Sequence, residues 1–225
     1  MVVGDVPEEA WHAIETIAKV NDAPVWKYGR EFVLSTGFDG YRVSTPNGAY
    51  ERLNPGIRGA PQPHNMAVAI AACDAAGFIK KPNKVGHGVG KATIPGRMQP
   101  TTYKGQKFLL DGAHNSDAAL NLVAGLRDEG RIVLLTGMLE GHVPGEFYEP
   151  LATIVDEVHF SPIQFHRSRS PRDLDQESGF LFKRSYVHDS VEDAILGCLE
   201  AAPDLVLVTG SFYLVGEVGR ILGLG

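Results

Sequence analysis

Lys107-Phe108-Leu109-Leu110-Asp111-Gly112-Ala113-His114-Asn115 reads as a short apolar strand that ends on a carboxylate, an imidazole and an amide, with a helical pattern following at Ser116–Arg127. In an open α/β sheet, ligands collect at the carboxyl ends of the strands. A helix starting there adds free amides and partial positive charge, which favour anions. The plainer reading of the same residues is a turn in which Asn115 or Ser116 caps the helix. Working outward, Arg131–Thr136, Glu157–Ser161 and Leu205–Thr209 are apolar runs of strand length. Helical patterns at Glu146–Val155 and Ser190–Ala201 lie between them, and the tail after Thr209 reads as a helix. Strands alternating with helices predict right-handed crossovers and a mostly parallel sheet, hence a Rossmann-like α/β domain over 92–225.

The first 91 residues follow another pattern. Val2–Gly4 is strand-like, and Pro7 opens an amphipathic helix over Glu8–Val20 with Trp11, Ile14, Ile17 and Ala18 at helical spacing. Alternating stretches at Glu31–Ser35, Tyr41–Thr45 and Ala49–Leu53, separated by Gly37, Gly40, Pro46 and Asn47-Gly48, predict a small antiparallel meander. An Ala-rich helix is predicted over Asn65–Ala76. Lys80–Gly96, with its prolines and glycines and no period, is the expected boundary between the two domains.

Composition excludes several classes. The 225 residues carry 44% hydrophobic and 21% charged side chains, enough for a buried core without staples. A net charge of −6, with no Lys/Arg run beyond Lys80-Lys81, argues against a nucleic-acid partner. Cys73 and Cys198 read as buried apolar residues in a reducing compartment. Leu205–Leu224 is apolar, but Glu217, Arg220 and several glycines interrupt it, so no membrane span is expected. Met1-Val2-Val3 is followed at once by Gly4-Asp5, which is no signal peptide, and a cytoplasmic protein is expected. Gly86-His87-Gly88-Val89-Gly90-Lys91-Ala92-Thr93 imitates a phosphate loop. The residue five before Gly90 is Val85, however, and Ala92 stands where a hydroxyl must hold magnesium. The stretch is read as a flexible interdomain loop. No strand is followed by Gly-x-Gly-x-x-Gly, which counts against a dinucleotide-dependent dehydrogenase.

Two further segments carry chemistry. In Ile94-Pro95-Gly96-Arg97-Met98-Gln99 a rigid turn presents Arg97, whose planar guanidinium suits phosphate oxygens. In Val208-Thr209-Gly210-Ser211 a strand end, a glycine turn and a helix start repeat, so Ser211 should share a sheet edge with His114, unless it is merely a cap.

Taken in order, Gly59-Ala60-Pro61-Gln62-Pro63-His64-Asn65, Pro95-Gly96-Arg97, Asp111-Gly112-Ala113-His114-Asn115 and Gly210-Ser211-Phe212-Tyr213-Leu214-Val215-Gly216 closely resemble the folylpolyglutamate synthase and dihydrofolate synthase family of the Mur ligase superfamily. The first strand and helix look like the closing part of that family's central ATP-binding domain. The resemblance implies that Asn65 hydrogen-bonds adenine, Arg97 the ATP phosphates, and that Asp111 contacts the nucleotide. It implies that His114, the expected catalytic residue, and Ser211 bind the incoming L-glutamate along one wall of an interdomain cleft. ATP would phosphorylate a folate or dihydropteroate carboxylate, and the amine of glutamate would attack the acyl phosphate. Cationic groups and magnesium would stabilise the transferring phosphoryl group.

The sequence departs from that pattern in places. The family's P-loop, magnesium ligands, carbamylated lysine and folate loops have no counterpart in these residues, so no metal ligand is assigned and the 225 residues alone are expected to be inactive without the missing half. Ser116 stands where the family usually has Pro, and Gly141-His142-Val143 where it often has an Asp-Lys-Asp-like group. Two rival readings are another Mur-superfamily amino-acid ligase and a non-catalytic nucleotide- or amino-acid-binding module working with a partner chain. Asp111-Gly112 before Ala-His-Asn favours the folate branch over the first.

Overall fold

The computed structural model describes residues 1–224. The chain divides into two compact units, Met1–Thr93 and a second that begins at Ile94.

In the first unit β1 (Val2–Val3) pairs in parallel with β2 (Trp26–Lys27), and α1 (Glu8–Val20) connects them. Glu8 and Glu9 in the first turn of α1 and Lys19 in its last complement the helix dipole. Trp11 is buried from α1, with Lys27 Nζ 4.2 Å from its ring centre. β3 (Val33–Gly37), β4 (Gly40–Thr45) and β5 (Gly48–Leu53) form the antiparallel meander, turning at Gly40 and Gly48, both at positive φ. Phe32, Val43, Tyr50 and Leu53 pack there against Met66, Ala67, Ile70 and Ala71 of α2 (Gln62–Ala75).

α2 starts three residues before the predicted Asn65. A proline in the first helical turn loses no hydrogen bond, so Pro63 does not exclude that turn. Cys73 is exposed, against the expectation that it is buried, because α2 turns Ile70, Ala71 and Asp74 inward instead. The Gly-rich stretch expected to be a flexible loop is also corrected. After a 3₁₀ turn at Pro82–Lys84 it forms α3 (Val85–Gly90), packed on β5. The Gly56 amide donates to Val89 O (3.1 Å), and a Cβ on Gly86 would stand 3.2 Å from Arg52 O. Gly86 thus serves close packing, whereas a Cβ on Gly88 would meet open space.

The second unit is built on six strands: β6 (Gln99–Tyr103), β7 (Gln106–Leu110), β8 (Ile132–Thr136), β9 (Val155–Phe160), β10 (Arg184–Val187) and β11 (Leu205–Thr209). Their order is β10-β9-β8-β11-β7-β6, all parallel except β6, which hairpins onto β7. α4 (Ser116–Leu126), α5 (Pro144–Leu151) and α6 (Pro171–Ser178) contribute Leu122, Phe147, Tyr148 and Leu174 to one core. α7 (Val191–Glu200) and α8 (Phe212–Ile221) contribute Ile195, Cys198, Leu214 and Val218 to the other. Every residue of β8 and β11 is buried, as expected for strands covered on both faces. The predicted helix over Glu146–Val155 is shorter, ending at Leu151, and Val155 already opens β9. No helix among the described residues is long and apolar enough to cross a membrane.

A buried carboxylate marks the amino end of this sheet. Glu157 of β9, 4% exposed, accepts from Arg131 (2.7 Å) and pairs with Arg184 (2.8 Å). Its other oxygen meets His159 Nε2 at 3.1 Å, and His159 Nδ1 meets His188 Nε2 at 2.8 Å.

Candidate functional site

The carboxyl edge of the second unit's sheet collects Arg97, Asp111, His114 and Ser211. β7 and β11 are neighbours although they lie far apart in sequence, so the segments after them emerge side by side. Their ends are tied together: Asp111 N donates to Val208 O (2.9 Å), and Gly210 N and Thr209 Oγ1 donate to Ala113 O (2.8 and 3.1 Å). Position 210 requires glycine, since its φ is 107° and a Cβ there would lie 2.4 Å from Gly137 O.

Asp111 is 6% exposed, and both its oxygens are engaged by backbone. Oδ2 accepts from Met98 N (2.8 Å) and Oδ1 from Ala113 N (2.9 Å). Burial raises its pKa, while these two amides and the charges of Arg97 and His114 pull the other way. Its carboxylate is therefore a clamp on the Ile94–Met98 turn. That turn closes through Arg97 N to Ile94 O (3.1 Å), Gly96 N to Gln99 Oε1 (2.8 Å) and Gly112 N to Gly96 O (2.8 Å).

The clamp sets Arg97 on the face of Phe212, with Cζ 4.6 Å from the ring centre. Arg97 is exposed and forms no ion pair with a carboxylate among the described residues. The Phe212 ring leaves no room for a side chain at position 112, where a Cβ would lie 2.4–2.5 Å from three ring carbons. The glycine of the Asp-Gly-Ala-His-Asn stretch thus seats the ring that seats the arginine.

His114 is half-buried, with Nδ1 2.8 Å from Gly112 O. A carbonyl only accepts, so Nδ1 carries the hydrogen and, in the neutral ring, Nε2 holds the lone pair. Asn115 caps α4, its Oδ1 accepting from Ala118 N (3.0 Å). Ser211, 4% exposed, caps α8, its Oγ accepting from Tyr213 N (3.1 Å). Its hydroxyl hydrogen is left to donate elsewhere. Asn65 belongs to the first unit, where it is exposed in the first turn of α2 and its amide lies 3.4 Å from Gln62 Oε1.

Residues after β8 and β9 complete the edge. Leu139 and Ser168 form an isolated bridge, Glu140 N donates to Arg167 O (2.8 Å), and Arg169 N to Met138 O (2.9 Å). These two loops enclose a depression of about 530 Å³ beside Glu140, Ser168, Arg169 and Asp173, which none of the four residues above lines. His142 lies 4.9 Å from His114, ring centre to ring centre. Its pKa is lowered by burial, then by the charges of His114 and Arg167. Sequence reasoning noted His142 only as a departure from the family pattern, quoted Phe212 within the Gly210–Gly216 motif without giving it a role, and did not single out Arg167.

Among the described residues no group of three or more His, Cys, Asp or Glu is placed to hold a metal ion. With Asp111 committed to amides, these side chains do not fit a magnesium site, and no step is assigned to one.

The Mur ligase glutamate ligase domain family matches residues 96–212, more than half of the chain. The chain is similar to the dihydrofolate synthase/folylpolyglutamate synthase of Escherichia coli, with 28% identity over 214 residues, 93% of this chain and 49% of the relative. It is similar to the dihydrofolate synthetase of Saccharomyces cerevisiae, with 26% identity over 84% of this chain and 50% of that one. Among solved structures, E. coli FolC in complex with DHPP and ADP superposes with a TM-score of 0.81 at 27% identity, covering 95% of this chain and 51% of its own. Mycobacterium tuberculosis folylpolyglutamate synthase, at 20% identity, TM-score 0.86, 99% of this chain and 55% of its own, shares the fold. The chain spans about half the length of the relatives it matches.

Proposed function

Since this chain belongs to the Mur ligase family, carrying its glutamate ligase domain, we propose that it is the carboxy-terminal part of an ATP-dependent ligase that adds L-glutamate to a folate or dihydropteroate carboxylate through an acyl phosphate. The observation that carries this reading is Arg97, held on Phe212 by the Asp111 clamp and forming no ion pair among the described residues. A fixed, unneutralised guanidinium suits a phosphate. The ADP named in the E. coli FolC structure supports a nucleotide ligand, and the dihydrofolate synthase relatives support the folate class of acceptor.

In this reading Arg97 takes phosphate oxygens of the nucleotide. Asp111, expected to touch nucleotide, serves it by holding the Arg97 turn. His114 is the catalytic residue: its Nε2 lone pair accepts a proton from the attacking amine of glutamate, and Ser211 donates to the amino acid. Positioning and charge stabilisation supply the rate. The cytoplasm is the compartment where these substrates would be met.

Titration calorimetry of the 225-residue chain with ADP should give heat that Arg97→Gln abolishes. No heat with either ADP or L-glutamate would sink the reading. The same chain should show no magnesium-dependent ATP turnover, because none of its segments has the P-loop pattern. Turnover above that of buffer would overturn this second point.

A further inference from the structure

The arginines of the second unit are used in two ways. Arg131, Arg169 and Arg184 are neutralised by glutamates. Arg97, Arg127, Arg167, Arg172 and Arg220 form no ion pair among the described residues, and of these Arg167 is the one whose guanidinium a backbone carbonyl holds. Arg167 is exposed and is held through Nη2 to the carbonyl of Glu140 at 3.0 Å. A carbonyl orients a guanidinium without cancelling its charge, and four of its five N–H donors remain for something else. The loop that carries it is fixed on both sides. Arg167 O accepts from Glu140 N, Arg169 N donates to Met138 O, and Ser168 Oγ accepts from Ile163 N (3.0 Å).

Two imidazoles stand on the same edge. Arg167 Nη2 lies 3.4 Å from where a Cβ on Gly141 would stand, and the next residue, His142, packs 4.9 Å from His114. His114 lies 6.4 Å from Phe212, on which Arg97 rests. In a chain of net charge −6, this is an arc of four cationic or protonatable groups. Asp111, the carboxylate bonded into it, has given both oxygens to amides. Such an arc has two ends, and a phosphate at Arg97 occupies only one.

We propose that Arg167, oriented by the Glu140 carbonyl and backed by His142, receives the distal carboxylate of a dicarboxylic amino acid, and so selects glutamate over its neutral amide. This rests on the ligase reading above and assigns the part of the site that distinguishes one amino-acid substrate from another. A planar fork meeting a carboxylate offers two parallel, charge-assisted bonds, which an amide cannot match.

The test compares L-glutamate with L-glutamine by titration into the 225-residue chain and into Arg167→Gln and Arg167→Lys variants, with ADP titrated in parallel. The native chain should favour glutamate about tenfold to a hundredfold, the worth of one charge-assisted contact. Arg167→Gln should erase that preference by weakening glutamate while leaving glutamine and ADP unchanged, and Arg167→Lys should restore part of it. An unchanged preference in Arg167→Gln overturns the inference even if ADP still binds, leaving the ligase reading intact. An Arg167-dependent preference without any ADP binding upholds the inference and removes the nucleotide half of that reading. A native chain indifferent between the two amino acids also overturns the inference. Circular dichroism of each variant separates a misfolded chain from a lost contact.

Discussion

Asp111 and Glu157 are two buried carboxylates of one sheet, at opposite ends of its strands, and their neighbours differ in kind. Glu157 is met by Arg131, Arg184 and His159, so charge is matched by charge. Asp111 is met by the amides of Met98 and Ala113, and the nearby Arg97 forms no ion pair. At the amino end Arg131 and Arg184 are consumed in holding the fold, whereas at the carboxyl end backbone holds the turns that carry Arg97 and Arg167. These two are spared even though Arg169 beside them pairs with Glu177. Withheld neutralisation, more than the presence of charge, separates the proposed binding edge from the structural one.

The largest break in that comparison is Glu157→Gln. It strips the amino-end network of its centre and should lower the unfolding free energy by roughly 2–4 kcal/mol, less than for a fully buried pair because both arginines keep contact with water. Urea denaturation measures it, and ADP binding by the folded fraction should not change. Gly112→Ala strikes the other end. A methyl where the Phe212 ring lies should cost about 1–3 kcal/mol by overpacking and displace the perch of Arg97, so ADP affinity falls with stability. Equal ADP affinity in this variant would show that Phe212 does not position the arginine.

Acid sharpens the contrast more gently. Burial lowers the pKa of His159 and of His188, so the unfolded chain binds protons more readily than the folded one. Stability is therefore full above the ordinary histidine value near 6.5 and declines as pH falls below it. The geometry adds a limit: with Nδ1 and Nε2 2.8 Å apart, the pair cannot carry a hydrogen on both atoms and stay in contact. His159→Gln should flatten the slope of melting temperature against pH between about 6.5 and 5, and an unaltered slope would assign the acid sensitivity elsewhere. The smallest stability effect belongs to Arg97→Gln. It loses one exposed cation–ring contact, about 0.5–1 kcal/mol at most, yet should lose ADP binding. A variant that melts early but binds normally would reverse the assignment of the two ends.

Much of this was legible in the residues. β8 and β11 announce themselves as unbroken apolar runs because both their faces are covered. The Asn115 and Ser211 caps follow from their place before a helix. What stayed hidden lacks such a pattern. α6 buries only Leu174 and Ser178, so its residues show no stripe, and β10 is an edge strand with mostly exposed side chains. The role of Asp111 escaped for another reason. Its partners are main-chain amides, which every residue but proline possesses, so no side-chain spacing could point to a clamp rather than a ligand. Arg167 and His142 come together only because two loops bond to each other, and hydrogen bonds between loop backbones leave no mark in composition.

The strand order has a consequence for how this unit assembles. β11 comes latest in sequence of the six strands yet sits between β7 and β8, pairing Leu207 with both Leu109 and Leu134. During synthesis, β7 and β8 emerge first with no direct pairing available, and the gap between them waits for residues made near the end. Closing so many distant contacts at once favours slow folding, with apolar strand edges uncovered in the meantime. Removing β11 would take out the keystone of the sheet, so a chain truncated after α7 should have no folded second unit.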